Sequence, residues 1–239
     1  MQIPNFQNLP IGYLSATFQR GRVTNSYKYY WFLAILQCLK RNNFGTQKID
    51  IQDIIIEMLG NVWYPIHFYR LSFGKQDKLA NAVLAIKNLS NGELEADSKQ
   101  NEIIAFLKIK KQDKAIQKQI TFFNKYVPYR FLSTWFVNEI IGVSGRSPAR
   151  EIALASLANQ HFYDSEKISF YRFLNENKSI EIHEVWLEYI VKNFAILEGF
   201  CYWHLIKYLQ KNNPNVPNIA DKLFAPQARN LNKAKKFWK

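Results

Sequence analysis

Tyr29 to Leu36 form an unbroken run of eight apolar or aromatic side chains, preceded by Thr24, Asn25 and Ser26. Side-chain oxygens in such positions accept hydrogen bonds from the unpaired N–H groups of a first helical turn, so a helix is predicted over about 25–41. Tyr27, Tyr30, Trp31, Ala34, Ile35 and Cys38 share one face of it, and Phe32, Leu33, Leu36 and Leu39 cover much of the rest. A helix apolar nearly all round is a buried one. The run is far shorter than the ~20 residues needed to cross a bilayer, which places it at the centre of a soluble core. Whatever this chain folds into is wrapped around that helix.

A core of this kind needs material. The chain has 239 residues, 48% hydrophobic and 15% aromatic, which excludes disorder and suits one large domain or two small ones. Lys and Arg number 32 against 19 Asp and Glu, a formal net charge of +13. That excess favours polyanions, nucleic acid foremost; a composition simply rich in Lys and Asn is the plainer explanation. Cys38 and Cys201 are isolated in apolar helical patterns, without disulfide or zinc spacing, and read as core thiols in a reducing compartment. No basic-apolar-small segment opens the chain, so a cytoplasmic protein without a membrane segment is expected.

Further helices are predicted over about 51–63, 76–89, 98–109, 112–126 and 148–160. Asp50 is the N-cap of the first, Pro65 its stop, and Pro148 suits the first turn of the last. Ile11 to Phe18 suits a short helix, and His67 to Gly74 a packed aromatic loop. Residues 168–182 carry alternating apolar positions around Asn175-Glu176-Asn177-Lys178 and read as a small β-hairpin. A long helix follows over about 184–211, with Gly199 as its candidate break and Asn213-Pro214 as its end. The expected fold is therefore mainly α: one multi-helix domain over 1–226 with one small hairpin. Residues 142–148 are the place where a lobe boundary would fall, and 227–239 form a basic C-terminal helix.

The chemistry is sparse. His67, His161, His183 and His204 have no partner at metal-ligand spacing, and neither a GxxxxGK[ST] nor a GxGxxG loop occurs. Gly142 to Ser147 resembles a phosphate loop but lacks its lysine. Asp50, Asp53 and Glu57 could share a magnesium ion, yet capping and a solvated helix face explain them more simply. Lys111, Lys114 and Lys118 recur at i, i+3, i+7, a candidate phosphate-contacting stripe; a merely solvated face explains them equally well.

Several segments share an order with a known family. They are Asn25-Ser26-Tyr27-Lys28 with Trp31-Phe32-Leu33, Trp63-Tyr64-Pro65, Leu71 to Asp77, and Val127 to Leu132. Tyr171-Arg172-Phe173, Ile180-Glu181-Ile182 with Trp186, Asn213 to Pro217, Lys222-Leu223 and Arg229-Asn230-Leu231 with Ala234 and Phe237-Trp238 continue it. The chain thereby resembles the N-terminal region of bacterial HNH endonuclease domain-containing proteins. The HNH site itself needs a histidine that activates water and Asp, Asn and His residues that hold one divalent metal. No such set occurs here, so no catalytic residue carries over. The resemblance implies a metal-dependent nuclease domain or subunit outside residues 1–239. By itself the uncapped helix ending Phe237-Trp238-Lys239 reads as cut short, as a stand-alone form of the recognition region, or most plainly as a basic solubilising tail with an aromatic anchor.

The expected function is a nucleic-acid-associated module that positions DNA while a domain absent from this chain cuts. Its expected phosphate contacts are Lys111, Lys114, Lys118, Arg146, Arg150, Arg229, Lys233 and Lys236, with no cofactor in this chain. The alternative is a protein-interaction module of a defence or mobile-element system, docking through Trp135 and Trp238. An enzyme with an unrecognised metal site is the third reading.

Overall fold

The computed structural model describes residues 2–6, 9–19, 23–145, 147–164 and 166–225. The chain is mainly helical. After α1 (Ile11–Thr17) comes α2 (Tyr27–Arg41), in which every residue from Tyr29 to Leu36 is buried. α2 lies against the two longest helices, α3 (Ile51–His67) and α9 (Glu184–Asn212). α4 (Leu79–Leu89), α5 (Gln100–Ile109) and α6 (Lys114–Asn124) also pack against α3. The short α7 (Val127–Phe131) and α8 (Pro148–Gln160) complete the helical set, the latter with Pro148 in its first turn and Ser147 Oγ accepting from the Ala149 N–H. No helix of the described residues is long and apolar enough to cross a membrane.

Where the structure departs from the sequence reading, tertiary contacts are the cause. The helix expected to stop at Pro65 runs on to His67. Proline removes one backbone donor, but here it sits in the last turn, is buried with Ile66, and offers its own carbonyl to the Leu71 N–H at 2.9 Å. The break in α9 falls at Asn193 (φ −123°, ψ 19°), not at Gly199. The Asn193 side chain donates to the Tyr189 carbonyl at 3.0 Å, the acceptor that a helical backbone N–H four residues on would use. The hairpin is real, with β2 (Tyr171–Leu174) antiparallel to β3 (Ser179–Ile182), but it is part of a three-stranded sheet. β1 (Lys48–Asp50) joins its other edge, Ile49 opposite Ile180, giving the order β1-β3-β2.

One apolar cluster extends from Ile3 to Leu223 and includes residues on both sides of 142–148. The loop at that place is clamped: Arg150 Nη1 donates to the Val143 carbonyl at 2.9 Å and Arg130 Nη2 to the Gly145 carbonyl at 3.0 Å. Gly142 takes φ +84°, which a side chain would oppose.

The start of α2 is held in an unexpected way. Asn25 Oδ1 accepts from the Tyr27 N–H, as a capping residue would. Ser26 instead donates both its N–H (2.7 Å) and its hydroxyl (2.6 Å) to Asp77 Oδ2. The other Asp77 oxygen accepts from the Leu79 N–H at 2.9 Å, so one buried carboxylate ties the first turns of α2 and α4 together. Burial holds this carboxyl above the usual carboxylate range, with the three donors pulling the other way.

Candidate nucleic-acid interface

α6 is amphipathic. Ile116, Ile120 and Phe123 are buried, while Lys114 and Lys118 on the helix and Lys125 at its C-cap are exposed. At about 100° per residue these three lysines lie within about 40° of one another, opposite the buried face. The line they form is roughly 16 Å long. Lys111 does not belong to it: Asp113 caps the helix by accepting from the Ala115 and Ile116 N–H groups, which leaves Lys111 in the preceding turn. None of the ion pairs among the described residues uses Lys114, Lys118 or Lys125.

The C-terminal end of this face opens on a cleft of about 390 Å³ between the start of α2 and the α6–α7 junction. Lys28, Lys78 and Arg130 supply its cations and Tyr27, Phe122 and Tyr126 its rings; no carboxylate is among its described lining residues. The groups are held in place from outside the cleft. Arg130 pairs with Glu151 at 2.8 Å and lies over the Tyr126 ring, 4.8 Å from its centroid. Tyr27 Oη accepts from the Lys78 N–H at 2.7 Å, and burial with the nearby Asp77 charge raises the phenol to about 12. Lys28 Nζ donates to Ser133 Oγ at 3.3 Å, at the border with a neighbouring cleft lined by Ile140, Ile141 and Arg150.

Of the sequence-derived contacts, Lys114 and Lys118 therefore share one face, and Arg150 is committed to the loop carbonyl of Val143. Arg146, Arg229, Lys233 and Lys236 lie outside the described residues, as does Trp238. Trp135, expected on the surface as a docking residue, is 1% exposed and packs against Phe131, Phe170 and Trp186. An aromatic residue in a chain this apolar is drawn inward unless something holds it out. Lys78, Phe122 and Tyr126 were not singled out by sequence reasoning; Phe122 and Tyr126 reach the cleft from the α6–α7 junction and Lys78 from the start of α4, where its N–H donates to Tyr27 Oη.

The acidic and histidine candidates resolve into structural roles. Asp50 caps α3 through the Gln52 N–H. Glu57 is not solvated: it is buried against Arg41 as an ion pair, and burial raises its pKa. His161, without a partner in the sequence reading, has Nδ1 2.8 Å from Asp164 Oδ2, and Asp164 also accepts from the Glu166 and Lys167 N–H groups. That pattern fixes a turn. His183 is the N-cap of α9, accepting from the Val185 N–H. Among the described residues no group of three or more His, Cys, Asp or Glu side chains is placed to hold a metal ion.

His204 lines a second hollow, of about 540 Å³, with Ile3, Ile11, Phe200 and Trp203. Burial, helped by Lys207, lowers its pKa from 6.5 to about 4. The folded state thus takes up this proton less readily than the unfolded chain. The contribution is whole above about pH 6.5 and is lost as pH falls through that value toward 4. Allowing for solvent screening of a partly exposed ring, the loss is about 1–2 kcal/mol. Urea titrations at pH 7 and pH 4.5 should show His204→Phe losing less stability than the wild type on acidification. Equal losses would remove His204 as a source of acid sensitivity.

No protein-family model, curated protein or solved structure matches this chain.

Proposed function

We propose that this protein is a nucleic-acid-associated module of the kind found before the catalytic part of HNH-type endonucleases, positioning DNA for a cutting domain or subunit. The observation that carries the reading is the lysine face of α6 beside a cleft that presents Lys28, Lys78 and Arg130, with no carboxylate among its described lining residues. Cations placed in line along a helix neutralise successive phosphates and release condensed counterions, which drives binding. The net charge of +13 supplies the long-range attraction. The competing reading, a protein-docking module, rested in part on Trp135, and that side chain is in the core.

Binding of a fluorescent duplex measured at several salt concentrations tests the proposal. With Lys78, Lys114, Lys118 and Lys125 each meeting a phosphate, log affinity should fall against log salt with a slope of roughly −3.5. That slope is about a hundredfold loss between ~50 and ~200 mM salt. Changing Lys114, Lys118 and Lys125 together to Gln should flatten the slope by roughly 2.5. Absence of binding at the lowest salt by the duplex and by a single strand of equal length, or an affinity indifferent to salt, would overturn the reading.

A further inference from the structure

We propose that the cleft between the start of α2 and the α6–α7 junction holds one unstacked base of a single-stranded nucleic acid, whose backbone follows the lysines of α6. The inference rests on the nucleic-acid reading above and adds the form of the ligand.

Shape argues first. Proteins that read a duplex insert a projecting helix or ribbon into a groove. Here the cationic face ends in a concavity, and a concave aromatic site can receive only a base already out of the stack. Its volume of about 390 Å³ is in the range of small-ligand clefts, ~300–1,000 Å³.

The lining argues second. Phe122 is 41% and Tyr126 38% exposed, large rings kept at a cleft mouth instead of in the core. On α6, Phe122 lies beside the lysine line, so a strand tracked by Lys114, Lys118 and Lys125 delivers its bases to that mouth. Arg130 is planar and already oriented by Glu151 and the Gly145 carbonyl, with its guanidinium on the Tyr126 ring. A base entering the cleft meets fixed π surfaces, and little side-chain ordering remains to be done on binding. Aromatic platforms joined to a cationic track are the recurring chemistry of single-strand binding, and they tolerate any base. The charge of the cleft matches the phosphates on either side of that base: Lys28 and Lys78 are among its described lining residues, and no Asp or Glu is.

The test is fluorescence anisotropy at low salt with a labelled thymidine oligonucleotide, a duplex of equal length and thymidine monophosphate as competitor. The single strand should bind at least tenfold more tightly than the duplex. Tyr126→Ala and, separately, Phe122→Ala should each weaken the single strand roughly ten- to a hundredfold and leave the duplex nearly unchanged. Tyr126→Phe, which keeps the ring, should bind as the wild type does, and far-ultraviolet circular dichroism should show all three variants folded. Equal affinity for both forms with no effect of Tyr126→Ala would overturn the base-binding cleft while the cationic face stands. Competition by the mononucleotide at the affinity of the oligonucleotide would overturn the polymer as occupant. Failure of both nucleic acids to bind at low salt would overturn the functional reading itself.

Discussion

Asp77→Ala is expected to lower folding stability by about 4 kcal/mol, a large share of the ~5–15 kcal/mol that holds a typical domain together. The carboxylate accepts three hydrogen bonds, from the Ser26 N–H, the Ser26 hydroxyl and the Leu79 N–H. Asp77 is buried and Ser26 fully so, and water does not replace the lost acceptor. Each buried donor left alone costs about 1–3 kcal/mol, and the first turns of α2 and α4 come unpinned at the same time. Ser26→Ala removes the hydroxyl along with its need for a partner, and should cost less than half as much. Urea unfolding followed by circular dichroism measures both, and a double-mutant cycle isolates the coupling. A loss below 1 kcal/mol for Asp77→Ala would show that the two helix starts are held by something else.

Tyr171→Phe removes one oxygen and is expected to cost about 3 kcal/mol. Tyr171 Oη donates to the Pro128 carbonyl and accepts from Trp31 Nε1 at 3.2 Å, with Trp31 and Tyr171 both fully buried. The phenol thus joins the central helix, the sheet and the start of α7 through a single atom. Phenylalanine fills nearly the same space, so the loss reports unpaired polar groups and not a cavity. Trp31→Phe gives the complementary measurement, since the Tyr171 hydroxyl keeps its acceptor while packing volume is lost. If Tyr171→Phe unfolds at the wild-type denaturant midpoint, the network contributes nothing net.

The elements most legible in the sequence are those whose signals are local. The all-round apolar surface of α2, Pro148 opening α8, the turn residues of the hairpin and the stop at Asn213 all act within a few positions of themselves. β1 was invisible because three residues have no periodicity to read; they become a strand only because β3 offers an edge. Pro65 and Gly199 were misjudged because tertiary and side-chain bonds decide where a helix tolerates a defect: the Leu71 N–H takes the Pro65 carbonyl, and the Asn193 amide, not Gly199, interrupts α9 by bonding the Tyr189 carbonyl. The site was legible to the extent that Lys114 and Lys118 obey helical spacing. Arg150 has the same chemistry as those lysines, yet a loop carbonyl claims its guanidinium, and no spacing rule foresees that.

The pairing of Ile49 with Ile180 bears on how the protein is made. At ribosomal rates of about 5–20 residues per second, β1 leaves the exit tunnel of order ten seconds before its partner strand exists. α9, whose Cys201 thiol reaches the Tyr29 carbonyl and whose Phe200 meets Phe18, arrives later still. The buried central helix α2 therefore spends most of translation without its final cover. Apolar surface left open that long invites aggregation, so the yield of folded protein in a cell should rise when chaperones are co-expressed.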